Sequence, residues 1–401
     1  MSAALDLKQR PTIRLRPKAQ KRLLNGYPWV FSNEIEVSAE TKQIPAGTIV
    51  RIEANDGQPL GTAIYNRQPL ISARLLSTSA KTIVDEVFFT EILQKALSLR
   101  ETLFNVPYYR LIHAEADGIP GTIIDRYGDT LVLQVNTAGI ENLLPALLTA
   151  LNNVLDPKTV VLRNDTPSRL LEGLECYDKV VKGELNGPIK VIEHDATFFA
   201  ELQEGQKTGW FFDQRDNRKL AARFAKDADV LDCYSFAGGF TVQSALAGAR
   251  SVTTVDRSQA ALDLAAKAAT ENGVADKCTF IKAEVFNHLA KLANDGVSFD
   301  LVIVDPPAFV KSKKDIQQGS KGYRKLARLA AKLVKPGGYL VVASCSHHMD
   351  IDNFADQTRK GLLDANRRSR LLFTRGAGPD HPVHPFLPES EYLKLQLYTL
   401  D

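Results

Sequence analysis

The sequence predicts an α/β chain, with a doubly wound, mostly parallel sheet in its C-terminal half and two smaller modules before it. Three observations predict this. From about residue 230, short apolar runs alternate with helix-periodic segments at the spacing of repeated βα units, which implies a parallel sheet. Residues 1–78 hold short strand-like runs separated by turn formers, the pattern of a small β-barrel. Residues 79–190 mix a long helical pattern with strands, as in a small α+β module. A length of 401 residues suits two to three modules of roughly 100–200 residues.

In the first module Ile13 and Leu15 alternate with Arg14 and Arg16, as in a strand with one apolar face. Strands follow at 48–53, 59–65 and 70–76, with Asn55-Asp56-Gly57 as a turn, and Trp29 is assigned to core packing. In the second module a helix over 83–103 stops before Pro107. Strands are expected at 109–114, 121–127 and 130–136, the last two joined by Gly128-Asp129. A helix at 140–154 and strands at 159–163 and 180–182 complete it. The third part, 191–401, has seven expected strands, at 230–233, 251–256, 278–283, 299–304, 338–344, 370–373 and 392–400. Helices fill the gaps at 241–247, 259–272, 286–294, 323–333 and 352–365, and 311–321 reads as a flexible basic loop.

Composition narrows the function classes. No run approaches the roughly 18 apolar residues of a membrane helix, and the first ten residues lack a signal-peptide core, so a cytoplasmic protein is expected. Cys176, Cys233, Cys278 and Cys345 form no C-x-x-C pair, which argues against zinc and thioredoxin-like chemistry. No metal is expected, and a homodimer is carried as the candidate assembly. Net charge is +3 but uneven. Residues 1–78 carry 11 basic and 6 acidic side chains, and 79–190 carry 11 and 15. A basic run holds Lys8, Arg10, Arg14, Arg16, Lys18, Lys21 and Arg22 without an acid. It reads equally as a solvated arm or as a polyanion contact. Lys311, Lys313, Lys314 and Lys321 offer a second basic segment.

Open α/β sheets bind ligands beyond the C-terminal ends of their strands, and these ends carry the candidate site. Strand one runs into Tyr234-Ser235-Phe236-Ala237-Gly238-Gly239, where paired glycines permit a tight turn before a helix. A plain strand-to-helix turn would look the same, and the usual first glycine is missing. Asp256, ending strand two, is placed to accept ribose hydroxyls, and Glu284-Val285, after strand three, to contact a base. Dinucleotide binding is the rival, but it calls for G-x-G-x-x-G. Strand four ends in Asp305-Pro306-Pro307-Ala308-Phe309, which resembles the D/N-P-P-F/Y element of methyltransferases acting on planar amines and bases. S-adenosylmethionine is therefore the expected cofactor. Strand five ends at Cys345. A strand cysteine is ordinarily a small buried hydrophobe. Beside the Asp305 loop, its thiolate is instead a candidate to add to C6 of a pyrimidine and make C5 nucleophilic, with Asp305 on the base edge. His347 and His348 point opposite ways in an extended chain, so at most one reaches the site.

The chain resembles the PUA-linked 23S ribosomal RNA cytosine-C5 methyltransferases, the large-subunit rRNA methyltransferase I type. The resemblance rests on Gly26-Tyr27-Pro28-Trp29-Val30-Phe31-Ser32, on Glu115-Ala116-Asp117-Gly118-Ile119-Pro120-Gly121 with Asp125-Arg126-Tyr127-Gly128-Asp129, and on the block from Gly205 to Arg215. It implies a PUA domain at 1–78, an α+β linker domain at 79–190 and a Rossmann-like class I methyltransferase with a seven-stranded sheet at 191–401. It implies 23S rRNA as partner, Phe236 to Gly239 and Asp256 at the cofactor, and Cys345 as nucleophile. Arg14, Arg16, Lys18, Lys313 and Lys314 are the RNA-contact candidates. The family commonly has Asp-Val-Phe where this chain has Glu284-Val285-Phe286. Three rivals stay open: a base amino or ring-nitrogen methyltransferase acting on rRNA guanine or DNA adenine, a uracil-C5 enzyme, and a non-catalytic RNA-binding assembly factor.

Overall fold

The computed structural model describes residues 7, 10–202 and 209–401. The described chain divides into two units. Lys8 of the basic run, and Gly205 to Thr208 of the third resemblance block, lie outside the described residues.

One unit takes in the described residues up to Gly187, with Leu202, Gly209, Trp210 and Asp380–Ser390. It holds two five-stranded sheets. The first runs Thr12–Arg14, Thr48–Glu53, Pro59–Tyr65, Ile71–Ser77 and Trp29–Phe31 in spatial order. Only its first pair is parallel. Ile13 and Leu15 are buried in its core and Arg14 and Arg16 are exposed, as the alternation requires. The second sheet runs Tyr177–Lys182, Thr159–Asn164, Thr130–Val135, Thr122–Tyr127 and Tyr108–His113. Its core is covered by helices Glu86–Leu103 and Leu144–Leu155. The expected helix at 140–154 is two pieces, Ala138–Asn142 and Leu144–Leu155, with Pro145 in the first turn of the second. Ile64 of the first sheet is buried in the core of the second, so the two modules share one apolar interior. Trp29 is half-buried and donates its indole N–H to Glu115 (2.8 Å), which corrects its assignment to plain core packing. The return of residues 380–390 to this unit was not legible in the sequence. Asp380 accepts the Arg110 N–H (3.0 Å) and its carbonyl accepts from buried Arg100 (3.0 Å).

The other unit is built on a seven-stranded sheet. Its strands are β1 (Asp229–Cys233), β2 (Ser251–Asp256), β3 (Cys278–Lys282), β4 (Phe299–Val304), β5 (Val334–Ser344), β6 (Ser369–Arg375) and β7 (Lys394–Leu400). The spatial order is β3-β2-β1-β4-β5-β7-β6, parallel except for β7, which runs antiparallel to both neighbours. Helices are α1 (Arg215–Ala222), α2 (Gly239–Leu246), α3 (Gln259–Glu271), α4 (Val285–Asn294), α5 (Ile316–Lys332) and α6 (Ile351–Asp364). A hairpin of Ile189–Glu193 with Ala196–Ala200 precedes α1. The central strands β1 and β4 are buried on both faces, as parallel strands in such sheets are, and Tyr323, Leu326 and Ala330 of α5 join their core.

The expected loop at 311–321 is a correction. Ser312 and Asp315 form a capping box around the one-turn helix Lys313–Asp315, and α5 starts at Ile316. Gly319 and Gly322 masked the helix in the sequence. They lie under the chain after β4, where a Cβ on Gly319 would run into Val310 and the Phe309 carbonyl. Among the described residues no helix is long and apolar enough to cross a membrane, and no cluster of three or more His, Cys, Asp or Glu side chains could hold a metal.

Candidate active site

The ends of β1, β2, β4 and β5 gather the candidate residues of the second unit. After β1 the backbone is left-handed at every second residue, with φ +61° at Tyr234, +48° at Phe236 and +78° at Gly238. Two of the three carry side chains, and each such residue costs about 1–3 kcal/mol of strain. The missing first glycine is thereby explained, since the backbone takes the glycine conformation without the glycine. Asp256 pins the turn, accepting the Phe236 N–H (3.0 Å) on one oxygen and the Ser258 N–H (2.9 Å) on the other. Gly238 faces Ala265 of α3, where an added Cβ would come within 2.7 Å. Gly239 faces the Arg218 guanidinium, itself paired with buried Glu193 (2.8 Å). Ala237 is fully buried, so only its backbone is available at the site.

Asp232, in β1 under this turn, accepts the Thr241 hydroxyl (2.7 Å) on one oxygen. Its other oxygen is buried and has no partner among the described residues, as is the Ser235 hydroxyl. Burial pushes the Asp232 carboxyl up to about 7. Buried polar atoms without a protein partner are few in folded proteins and fit a polar ligand.

Glu284 is exposed and caps α4, accepting the Asn287 N–H (3.0 Å). Val285 is buried, with its side chain in the core. Of the two residues expected to contact a base, Glu284 presents its side chain to the surface and Val285 offers only backbone. Beside them lies a cavity of about 220 Å³ lined by Phe286, Phe309, Gln318, Gly319 and Gly322.

Asp305 follows β4 at the sheet's C-terminal edge. Gln214 donates to its carboxylate (2.8 Å) and is itself held by Asn217 (2.7 Å). Burial first, then the charge of Asp213, pushes the Asp305 carboxyl up to about 7. Asp213 accepts the Tyr392 hydroxyl (2.6 Å). Asp213 and Gln214 lie in the third resemblance block, and only their tertiary contacts bring them to the site.

Cys345 follows β5, the parallel neighbour of β4, and its Sγ lies 4.0 Å from the Pro306 carbonyl. The serines on either side are fastened to α5. The Ser344 hydroxyl donates to Tyr323 (2.7 Å), and the Ser346 hydroxyl meets Tyr323 (2.8 Å) and accepts the Val310 N–H (3.1 Å). The Ser346 hydroxyl thus ties the chain after β4 to the end of β5, and the Tyr323 phenol ties both serines to α5. His347 and His348 are both exposed, and His347 stacks on Tyr392 with centroids 4.9 Å apart.

The RNA-contact candidates fall in both units. In the first, Arg14 pairs loosely with Glu53 (3.4 Å), Arg16 donates to the Ile35 carbonyl (3.2 Å), and Lys18 is exposed. In the second, Lys313 and Lys314 lie in the short helix before α5.

Two family matches divide the chain. Residues 13–78 match the PUA-like domain, and residues 175–363 match the S-adenosylmethionine-dependent methyltransferase. Among curated proteins, ribosomal RNA large subunit methyltransferase I of Klebsiella pneumoniae is 36% identical over 389 residues, covering 96% of this chain and 97% of that protein. The protein of the same name from Erwinia tasmaniensis is 37% identical over 380 residues, covering 94% and 96%. Among solved structures, a chain described as a SAM-dependent methyltransferase from Streptococcus mutans superposes with TM-score 0.82 at 21% identity, covering 97% of this chain and 100% of that one. Another, described as a methyltransferase complexed with SAH, gives 0.83 at 21% identity, covering 97% and 99%. These two share the fold. The chain belongs to the S-adenosylmethionine-dependent methyltransferase family whose members are named ribosomal RNA large subunit methyltransferase I.

Proposed function

We propose that this chain methylates C5 of a cytosine in 23S ribosomal RNA in the cytoplasm, with Cys345 as nucleophile. The observation that carries the reading is the juxtaposition of Asp305 and Cys345 at the ends of neighbouring parallel strands, with Sγ 4.0 Å from the Pro306 carbonyl. Methylation of an exocyclic amine needs no thiol there, whereas C5 of a pyrimidine needs one to become nucleophilic.

The cofactor fits these residues because it is a cation carrying a nucleoside. The unpartnered buried oxygen of Asp232 suits its positive end, and Asp256 keeps lone pairs for ribose hydroxyls beside the Phe236–Gly239 backbone. Glu284 and the cavity at Phe286 and Phe309 suit a flat base. When bound, S-adenosylmethionine supplies a methyl group to C5 and leaves as S-adenosylhomocysteine. The Cys345 thiolate adds to C6, and Asp305 hydrogen-bonds the cytosine edge to stabilise the charge that develops. Loss of the C5 proton to a base then expels the thiolate and restores the ring. The target must leave its stack to reach Cys345. The PUA-like domain, with Arg14, Arg16 and Lys18, and the basic segment with Lys313 and Lys314 are proposed to hold RNA phosphates. Domain limits of 1–78, 79–190 and 191–401 are proposed with this division of labour.

Mass spectrometry of 23S rRNA nucleosides from cells with and without the gene tests the reading. It expects one 5-methylcytidine to disappear. Loss of a methylguanosine or of 5-methyluridine instead would replace it with a rival, and no change at all would favour an assembly factor.

A further inference from the structure

Lys394 opens β7 directly opposite Ser344 in the antiparallel β5–β7 pair. It is 5% exposed, and its Nζ donates to the carbonyl of Ser346, the residue after Cys345, at 2.7 Å. Among the described residues no carboxylate lies within ion-pair distance of this ammonium. Asp350 is engaged as the cap of α6, accepting the Asn353 N–H (2.7 Å). A buried ammonium without a counter-charge is costly. Burial lowers Lys394 to about 8, with the Cys345 charge foremost among the groups that oppose the shift, ahead of Asp350 and Glu391. Tyr323 bonds the hydroxyls of the two serines flanking Cys345, and its own hydroxyl is pushed up by burial.

We infer that Lys394 is a positioning residue for the thiol, an ammonium fixed one residue beyond Cys345 that holds the side chain as thiolate before attack and receives it as leaving group afterwards. The inference rests on the nucleophile reading above. In each cycle the Sγ lone pair forms the bond to C6 and returns to sulfur when that bond breaks, while Lys394 keeps its proton. A lysine beside a thiol is one of the arrangements that depress thiol pKa values below the ordinary 8.5 or so.

The test is alkylation of the full-length protein by iodoacetamide across pH 5–10, with each cysteine followed by peptide mass spectrometry. Cys176, exposed and free, is the internal reference. Cys345 is expected to reach half-maximal rate at least about one pH unit below Cys176. Lys394→Met should move the Cys345 midpoint up by about a unit or more and leave Cys176 in place, and Lys394→Arg should keep it near wild type. A wild-type Cys345 midpoint at or above that of Cys176 overturns the inference without any variant. So does an unchanged midpoint in a Lys394→Met protein that still binds S-adenosylhomocysteine. The readout is independent of methyl transfer. If Cys345→Ala keeps full activity while the midpoint still depends on Lys394, the nucleophile reading fails and the ammonium–thiolate pairing stands.

Discussion

Asp232 and Asp305 sit in surroundings that favour the neutral acid, each pushed up from 3.8 to about 7 by burial. A carboxyl whose value is raised on folding holds more protons in the folded state. Its stabilising contribution is therefore full below about pH 4 and is lost as pH rises through 7. Asp305→Asn removes that burden. It is expected to stabilise the free protein at pH 8 by about 1 kcal/mol, or about 2–4 °C in Tm, and to lower methyl transfer at least about 100-fold. Melting curves at pH 5.5 and 8 check the sign, since the gain should shrink at the lower pH. A cationic ligand favours both carboxylates, so S-adenosylmethionine binding should release protons near pH 6.5 and tighten as pH rises to about 7.5. Calorimetry in two buffers of different ionisation enthalpy measures that release, and proton uptake on binding would contradict the electrostatics argued here.

The elements around the site are fastened by a few side chains whose loss has distinct signatures. Tyr323→Phe removes the hydroxyl that joins Ser344, Ser346 and, through Ser346, Val310. It should cost about 1–3 kcal/mol of stability and lower kcat while the Kd for S-adenosylhomocysteine stays close to wild type. Gly239→Ala would drive a methyl into the Arg218 guanidinium that pairs with Glu193, so it should destabilise the protein and weaken cofactor binding together. The parallel strands were legible in the sequence because short apolar runs and period-3.6 patterns alternate cleanly there. The start of α5 was not, because Gly319 and Gly322 imitate a loop and serve instead as close-packing positions under Phe309. The strand ends named Asp256, Asp305 and Cys345 directly. Gln214, Asp213 and Lys394 stayed hidden because each reaches the site only through tertiary contacts, with Gln214 arriving 91 residues upstream of Asp305.

Charge is distributed over the whole molecule in a way that concerns RNA more than folding. The excess of basic residues lies in 1–78, and Arg14 and Arg16 are exposed on either side of buried Leu15, at and just beyond the end of the first strand. Arg14→Glu with Arg16→Glu should weaken RNA binding and reduce the slope of log K against log salt by about 1–2, leaving S-adenosylhomocysteine affinity unchanged. Filter binding between 50 and 300 mM KCl measures both quantities. The fold is common to many methyl transfers, so the reaction is decided by what happens at Cys345. Its most direct test is product analysis with purified wild-type and Cys345→Ala proteins on 23S rRNA from cells lacking the gene. The wild type should yield 5-methylcytidine and the variant none, with cofactor affinity in the variant within about threefold. Full methylation by Cys345→Ala, or a product methylated on nitrogen, would contradict it.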